Sequence, residues 1–118
     1  MSRLQNYLRT HRRRFGLSQK EVAKLLGVAS GTKVSRYENF IRTPSVLTVF
    51  ACEIVFNKPA SELFAGRYEE IRVAVRERAR QLLTKLNERP DKQSKKLFRK
   101  LELLRAIVEA NPNAAQRI

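Results

Sequence analysis

The residues of this sequence best placed to do chemistry are groups that recognise rather than react. Thr32, Lys33, Ser35 and Arg36 lie close together, interrupted by Val34 and followed by Tyr37. On a helix that pattern turns Val34 and Tyr37 inward and leaves the polar side chains outside. Lys and Arg donate to the O6 and N7 acceptors of guanine, and Ser or Thr can meet either partner or a thymine methyl. Gln19 stands in the first turn of another helical pattern, where free backbone N–H groups and an amide donor favour a phosphate. His11 has no carboxylate or cysteine set near it in the chain, so it gives no catalytic or metal signal and is expected to be packed or half exposed. The sequence has no nucleophile–base pair, phosphate loop or metal-ligand cluster, so binding rather than catalysis is expected, with no cofactor.

The elements that must position these groups are helices. All four glycines and all four prolines fall between helical patterns, where they do least damage. The first helix is expected over Arg3–Phe15, with Leu4 and Leu8 on one face and His11 and Phe15 as further candidates for it. The second runs Ser18–Leu26, with Ser18 and Glu21 spaced as a capping box, Val22, Leu25 and Leu26 facing the core, and Gly27 as its left-handed stop. Ser30 caps the third, which ends near Asn39. Pro44 and Ser45 open the fourth, whose apolar stripe reads Val46, Leu47, Phe50, Ala51, Ile54 and Val55. Pro59 opens a short fifth ending at Leu63 and Phe64. Beyond Gly66 a long amphipathic helix is expected over Arg67–Arg89, with Ile71, Val75, Ala79, Leu82, Leu83 and Leu86 on one side. After Pro90, Asp91 can cap the junction to a last helix reaching Ala110, with Leu97, Phe98, Leu101, Leu104, Ile107 and Val108 apolar. Both late stripes approximate a heptad, and the two helices can form an antiparallel hairpin.

The joint between the second and third helices, Gly27-Val28-Ala29, is too short for antiparallel packing. It throws one helix steeply across the other, so that one spans a nucleic-acid backbone while the next enters the groove. Charge agrees with that partner. The 118 residues hold 25 Lys and Arg against 11 Asp and Glu, a formal +14, and the halves 1–66 and 67–118 each carry +7. A field of that sign favours polyanions through counterion release. The single cysteine, Cys52, excludes an internal disulfide and a thiolate metal cage. The charge-free stretch Thr43–Cys52 is about half of what a membrane span needs, so a soluble, cytoplasmic protein without a membrane partner is expected.

Residues 17–64, reading L-S-Q-K-E-V-A-K-L-L-G-V … K-V-S-R-Y-E-N … T-P-S … F, resemble the repressor and Cro family of phage and bacterial regulators, often called Xre-like. The likeness reaches back into the first helix. It implies an all-α fold with a five-helix DNA-binding domain over 1–66, here followed by two amphipathic helices over 67–118. It also implies binding to double-stranded operator DNA, as a homodimer on a pseudo-palindrome. By position Gln19 resembles the family's phosphate-anchoring glutamine, and Gly31, Thr32, Ser35 and Arg36 fall at base-facing positions. Asn39 and Arg42 match the backbone-gripping segment, and Arg12 with Glu38 match a pair bridging the first helix to the end of the third. Two departures stand out. The run Val28–Thr32 is one residue longer than the common pattern, and Gly31 replaces a larger contacting residue. Ser30-Gly31 would allow close backbone approach to a phosphate or base edge. The resemblance thus leaves the register of Thr32 and Lys33 open.

Two surfaces carry alternatives. Arg13 and Arg14 read as a solvated helix end, with phosphate contact as the lesser alternative. The cluster Lys92, Lys95, Lys96, Arg99 and Lys100 is either a solvated helix face or a second phosphate-binding stripe. The helices of 67–110 would mediate self-association of a sequence-specific regulator, a repressor reading the major groove through its third helix. The other reading is an antitoxin-type protein whose C-terminal helices hold a partner protein, with autoregulatory DNA binding.

Overall fold

The computed structural model describes residues 6–88 and 94–110. Along them run α1 Leu8–Arg14, α2 Gln19–Leu26, α3 Gly31–Glu38, α4 Val46–Phe56, α5 Ala60–Leu63, α6 Ala65–Asn87 and α7 Lys95–Glu109. There is no strand among the described residues, and the fold is all-α. The chain divides into two compact units, residues 1–70 and 71–118.

The first unit closes around Leu8 of α1, Val22, Ala23 and Leu26 of α2, Val34 and Tyr37 of α3, Cys52 and Phe56 of α4, and Leu63 and Phe64 at α5. Local sequence sets the helix ends. Ser18 Oγ accepts from the Glu21 amide at 3.0 Å while Glu21 Oε1 accepts from the Ser18 amide at 2.9 Å, and these bonds hold the Glu21 carboxyl below the usual carboxylate range. Gly27 ends α2 at φ 72°, a conformation that costs glycine nothing. Pro59, the N-cap residue of α5, has no side-chain acceptor, and the carboxylate of Glu53 takes the Ala60 amide instead at 2.7 Å. The Tyr7 amide donates to the Leu63 carbonyl at 2.9 Å and fastens α1 to α5.

Several expectations need correction. Helix one begins at Leu8 rather than Arg3, because Asn6 Oδ1 captures the Leu8 amide at 2.9 Å and forms a local turn. Arg3 and Leu4 lie outside the described residues, as do Asp91 and Lys92. In α2 it is Ala23, not Leu25, that joins Val22 and Leu26 in the core, and Leu25 is exposed. Phe15 is exposed too. In α4 only Ala51 and Val55 of the expected stripe pack against the core, and both are partly buried. Val46, Leu47, Phe50 and Ile54 are exposed, Ile54 to 81%, whereas Phe56 is 2% exposed and Cys52 fully buried. An almost uniformly apolar helix has no phase to read, so tertiary packing chose the face. Burial pushes the Cys52 thiol up to about 11, which suits an inert packing residue.

The second unit centres on Ala79 and Leu86 of α6 and Leu97, Leu101 and Leu104 of α7, with Leu83, Ile107 and Val108 packed alongside. Arg76 donates to the Ala110 carbonyl, so α7 returns antiparallel along α6. Ser94 caps α7 by accepting from the Leu97 amide at 3.4 Å. Ile71, Val75, Leu82 and Phe98, expected on the apolar stripes, are exposed. Among the described residues no helix is long and apolar enough to cross a membrane.

The face that α4 buries sets an expected contrast. Phe56→Ala should cost about 3–5 kcal/mol through the cavity it leaves. Ile54→Ala should cost less than about 1 kcal/mol, as a surface change does. Urea unfolding followed by circular dichroism measures both, and equal losses would contradict this packing.

Candidate nucleic-acid interface

The phase of α3 is set by two anchors. Val34 and Tyr37 are buried in the core, and Thr32 and Arg36, one turn apart, point to solvent. Lys33 and Ser35 flank that outer line and are half-buried. The outer face thus offers a hydroxyl, a methyl, an ammonium and a guanidinium, all suited to base edges.

The start of α3 is built differently from the sequence reading. Ser30 occupies the N-cap position with extended backbone, but its hydroxyl makes no capping bond. Its carbonyl accepts from the Lys33 amide at 3.1 Å. A Cβ on Gly31 would stand 3.1 Å from the Lys20 nitrogen and 3.2 Å from the Gln19 carbonyl carbon. Gly31 is therefore small because the first turn of α3 presses on the backbone of α2, which is a packing reason. Approach to a phosphate is not needed to explain it.

Beneath this face lies a buried ionic bridge. Arg12 Nε donates to Glu38 Oε2 at 2.6 Å and its Nη2 to Oε1 at 3.3 Å, and Nη1 donates to the Leu17 carbonyl at 3.0 Å. Gln19 Nε2 adds a bond to Glu38 Oε1 at 3.1 Å. One carboxylate thereby joins α1, the turn after it, the start of α2 and the end of α3. A bidentate guanidinium is the partner best shaped to satisfy a desolvated carboxylate. Gln19 retains a second amide hydrogen and its carbonyl for an outside partner.

The segment after α3 is held to its last turn. Asn39 Nδ2 donates to the Ser35 carbonyl at 2.8 Å. The Ile41 and Arg42 amides both donate to the Arg36 carbonyl, at 2.9 and 3.2 Å. The Arg42 side chain is exposed. Between them Phe40 adopts φ 56°, a costly conformation for a bulky residue. The Arg67 guanidinium lies 5.2 Å from its ring centroid, and this cation–π contact helps hold the reversal. Asn6, Arg9 and Thr10 of the α1 end face the same segment across an open cleft of about 560 Å³, and Asn6 Nδ2 donates to the Tyr37 carbonyl at 2.9 Å. The sequence reading missed Asn6, Phe40 and Arg67. An aromatic residue just past a helix end hints at such a reversal, but nothing local reveals the partner.

His11 is packed, as one of its two expected placements had it, and the fold brings a carboxylate that the local sequence does not show, that of Glu62, to 3.2 Å from its Nε2. Lys58 is at 4.0 Å on the same carboxylate. This clasp joins α1 to α5. Among the described residues no group of three or more His, Cys, Asp or Glu is placed to hold a metal.

A short second helix capped by Ser18, a tight glycine turn and a third helix with a polar outer face make up a helix-turn-helix. Residues 8–63 match the family model described as Helix-turn-helix, and this segment belongs to the Xre-like helix-turn-helix family. The domain supports a DNA-binding transcriptional regulator. No curated protein and no solved structure matches the chain.

Removing one side of the buried bridge should be worse than removing both. Glu38→Ala leaves the Arg12 charge uncompensated and should cost about 3–5 kcal/mol in urea unfolding. The double variant with Arg12→Met should recover part of that loss. Additive losses in the cycle would mean that the two side chains act independently.

Proposed function

We propose that this protein is a sequence-specific repressor that reads the major groove of operator DNA with α3. The observation that carries the reading is the phase of α3: Thr32 and Arg36 face solvent while Val34 and Tyr37 clamp the helix from behind. In this reading Arg36, with Thr32, Lys33 and Ser35, makes the base contacts. Ser30 and Gly31 bring the start of α3 to the groove, and Gln19, Asn39 and Arg42 position the phosphate backbone. Arg12 and Glu38 keep α1, α2 and α3 in register and touch no DNA. Residues 1–66 form the DNA-binding domain and 67–118 the association domain.

The reading includes a homodimer with two recognition helices about 34 Å apart, one turn of DNA. Support comes from the large apolar side chains left exposed in the second unit, Ile71, Val75 and Leu82 along one stripe of α6 and Phe98 on α7, since exposed apolar area gathered on one face marks interaction surfaces. The same side chains support a second reading, in which they hold a partner protein as an antitoxin does and DNA binding is autoregulatory. Sedimentation equilibrium of the full chain separates the two. A reversible dimer that dissociates on Phe98→Glu is expected, and a monomer at tens of micromolar would favour the partner reading.

Arg36→Ala should weaken binding to a site selected from random duplexes by about 1–3 kcal/mol and relax preference at one base position. Gel-shift titration over single-base variants of that site reads both quantities. Unchanged affinity and unchanged preference would remove Arg36 from recognition.

A further inference from the structure

The second unit is more densely basic than the helix-turn-helix unit. Residues 71–118 hold 13 Lys and Arg against 5 Asp and Glu, whereas residues 1–70 hold 12 against 6. The excess is concentrated at the start of α7, where Lys95, Lys96, Arg99 and Lys100 fall within two turns. All four are exposed, and none takes part in an ion pair or side-chain hydrogen bond among the described residues. Leu97, Leu101 and Leu104 are buried and fix the helix phase. The four cations therefore lie on the side of α7 turned away from the core, along one continuous arc.

That placement works against the helix itself. Lys95 and Arg99, and Lys96 and Lys100, are like charges one turn apart, an arrangement that destabilises a helix. The first turn of α7 carries two lysines and no acid, against the helix dipole, and its last turn carries Glu109 and no base. The chain does the opposite in α2, where Glu21 sits in the first turn and Lys24 in the last. A solvated face built only for solubility would mix both signs. Charges set where they cost stability signal a site kept for another purpose.

We propose that the N-terminal half of α7 is a second DNA-binding surface, which grips the phosphate backbone of duplex DNA through Lys95, Lys96, Arg99 and Lys100 without reading bases. The inference rests on the DNA-binding reading of α3. A duplex held by the helix-turn-helix presents its phosphates to the second unit at high local concentration, so even weak ionic contacts add affinity. Each neutralised phosphate adds about 0.9 to the slope of log affinity against log salt.

The test uses the full chain and a variant with Lys95→Gln, Lys96→Gln, Arg99→Gln and Lys100→Gln, since glutamine keeps helix propensity. Both are titrated by fluorescence anisotropy against a duplex of about 40 base pairs carrying the selected site, from low to high salt. Circular dichroism and sedimentation confirm equal helicity and equal oligomeric state. The variant should bind roughly 10–100-fold more weakly near 0.15 M salt, with a salt slope lower by about 2–4 and an unchanged base preference. An unchanged affinity and slope would overturn the proposal and leave the role of α3 standing. A slope that depends on α7 in a wild-type chain lacking any base preference would support this surface and reject α3 as a reader of sequence. Vesicles of phosphatidylglycerol and phosphatidylcholine form a third arm. If the four substitutions abolish vesicle binding but leave the DNA slope intact, the surface belongs to a membrane and the proposal fails.

Discussion

A carboxylate removed from water must be satisfied where it lies, and in this protein that constraint falls on Glu38 at the end of α3. Its side chain is 1% exposed. Arg12 reaches it from α1 and Gln19 from the start of α2, while Arg12 also holds the Leu17 carbonyl in the turn between them. A buried pair of this kind adds little net stability over an apolar substitute, because both ions are desolvated. Its value is geometric. A bidentate bond tolerates little displacement, so three helices are indexed to one group. The outer face of α3 is held in place from behind by Glu38 together with Val34 and Tyr37.

The other constraints act around the same helix. Gly31 lets the first turn of α3 approach the backbone of α2 to a distance that a side chain would block. At the far end, Phe40 in a left-handed conformation turns the chain back, with Arg67 over its ring and the Ile41 and Arg42 amides on the Arg36 carbonyl. Both ends of α3 are thus fixed by strain or close contact, and the polar middle is left free. That division suits a recognition element, which loses affinity if it must be ordered on binding.

The two units handle charge in different ways. In the helix-turn-helix unit, Arg12 and Glu38 form the buried pair, and His11 and Lys58 both face Glu62. In α7 the cations of the first two turns have no ion-pair partner among the described residues and stand against the dipole. The first pattern fixes a structure. The second is the arrangement from which the proposed phosphate contacts follow, since counterions released by a polyanion would repay the local cost.

Much of this architecture is legible in the sequence. The Ser18–Glu21 spacing, Gly27, Pro44 and Pro59 mark helix ends through local backbone chemistry alone. Val34 and Tyr37 are the only large apolar residues of α3, so its phase can be read directly. The phase of α4 cannot, because nearly every position is apolar and periodicity carries no information; packing buried Cys52 and Phe56 and left Ile54 outside. Tertiary structure alone brought Glu62 to His11, Glu53 to the start of α5 and Arg67 to Phe40. It also gave Gly31 a packing reason, the backbone of the neighbouring helix. Helix ends and amphipathic phase are written within a few consecutive residues, whereas pairings across distant segments exist only once the chain has closed around its core.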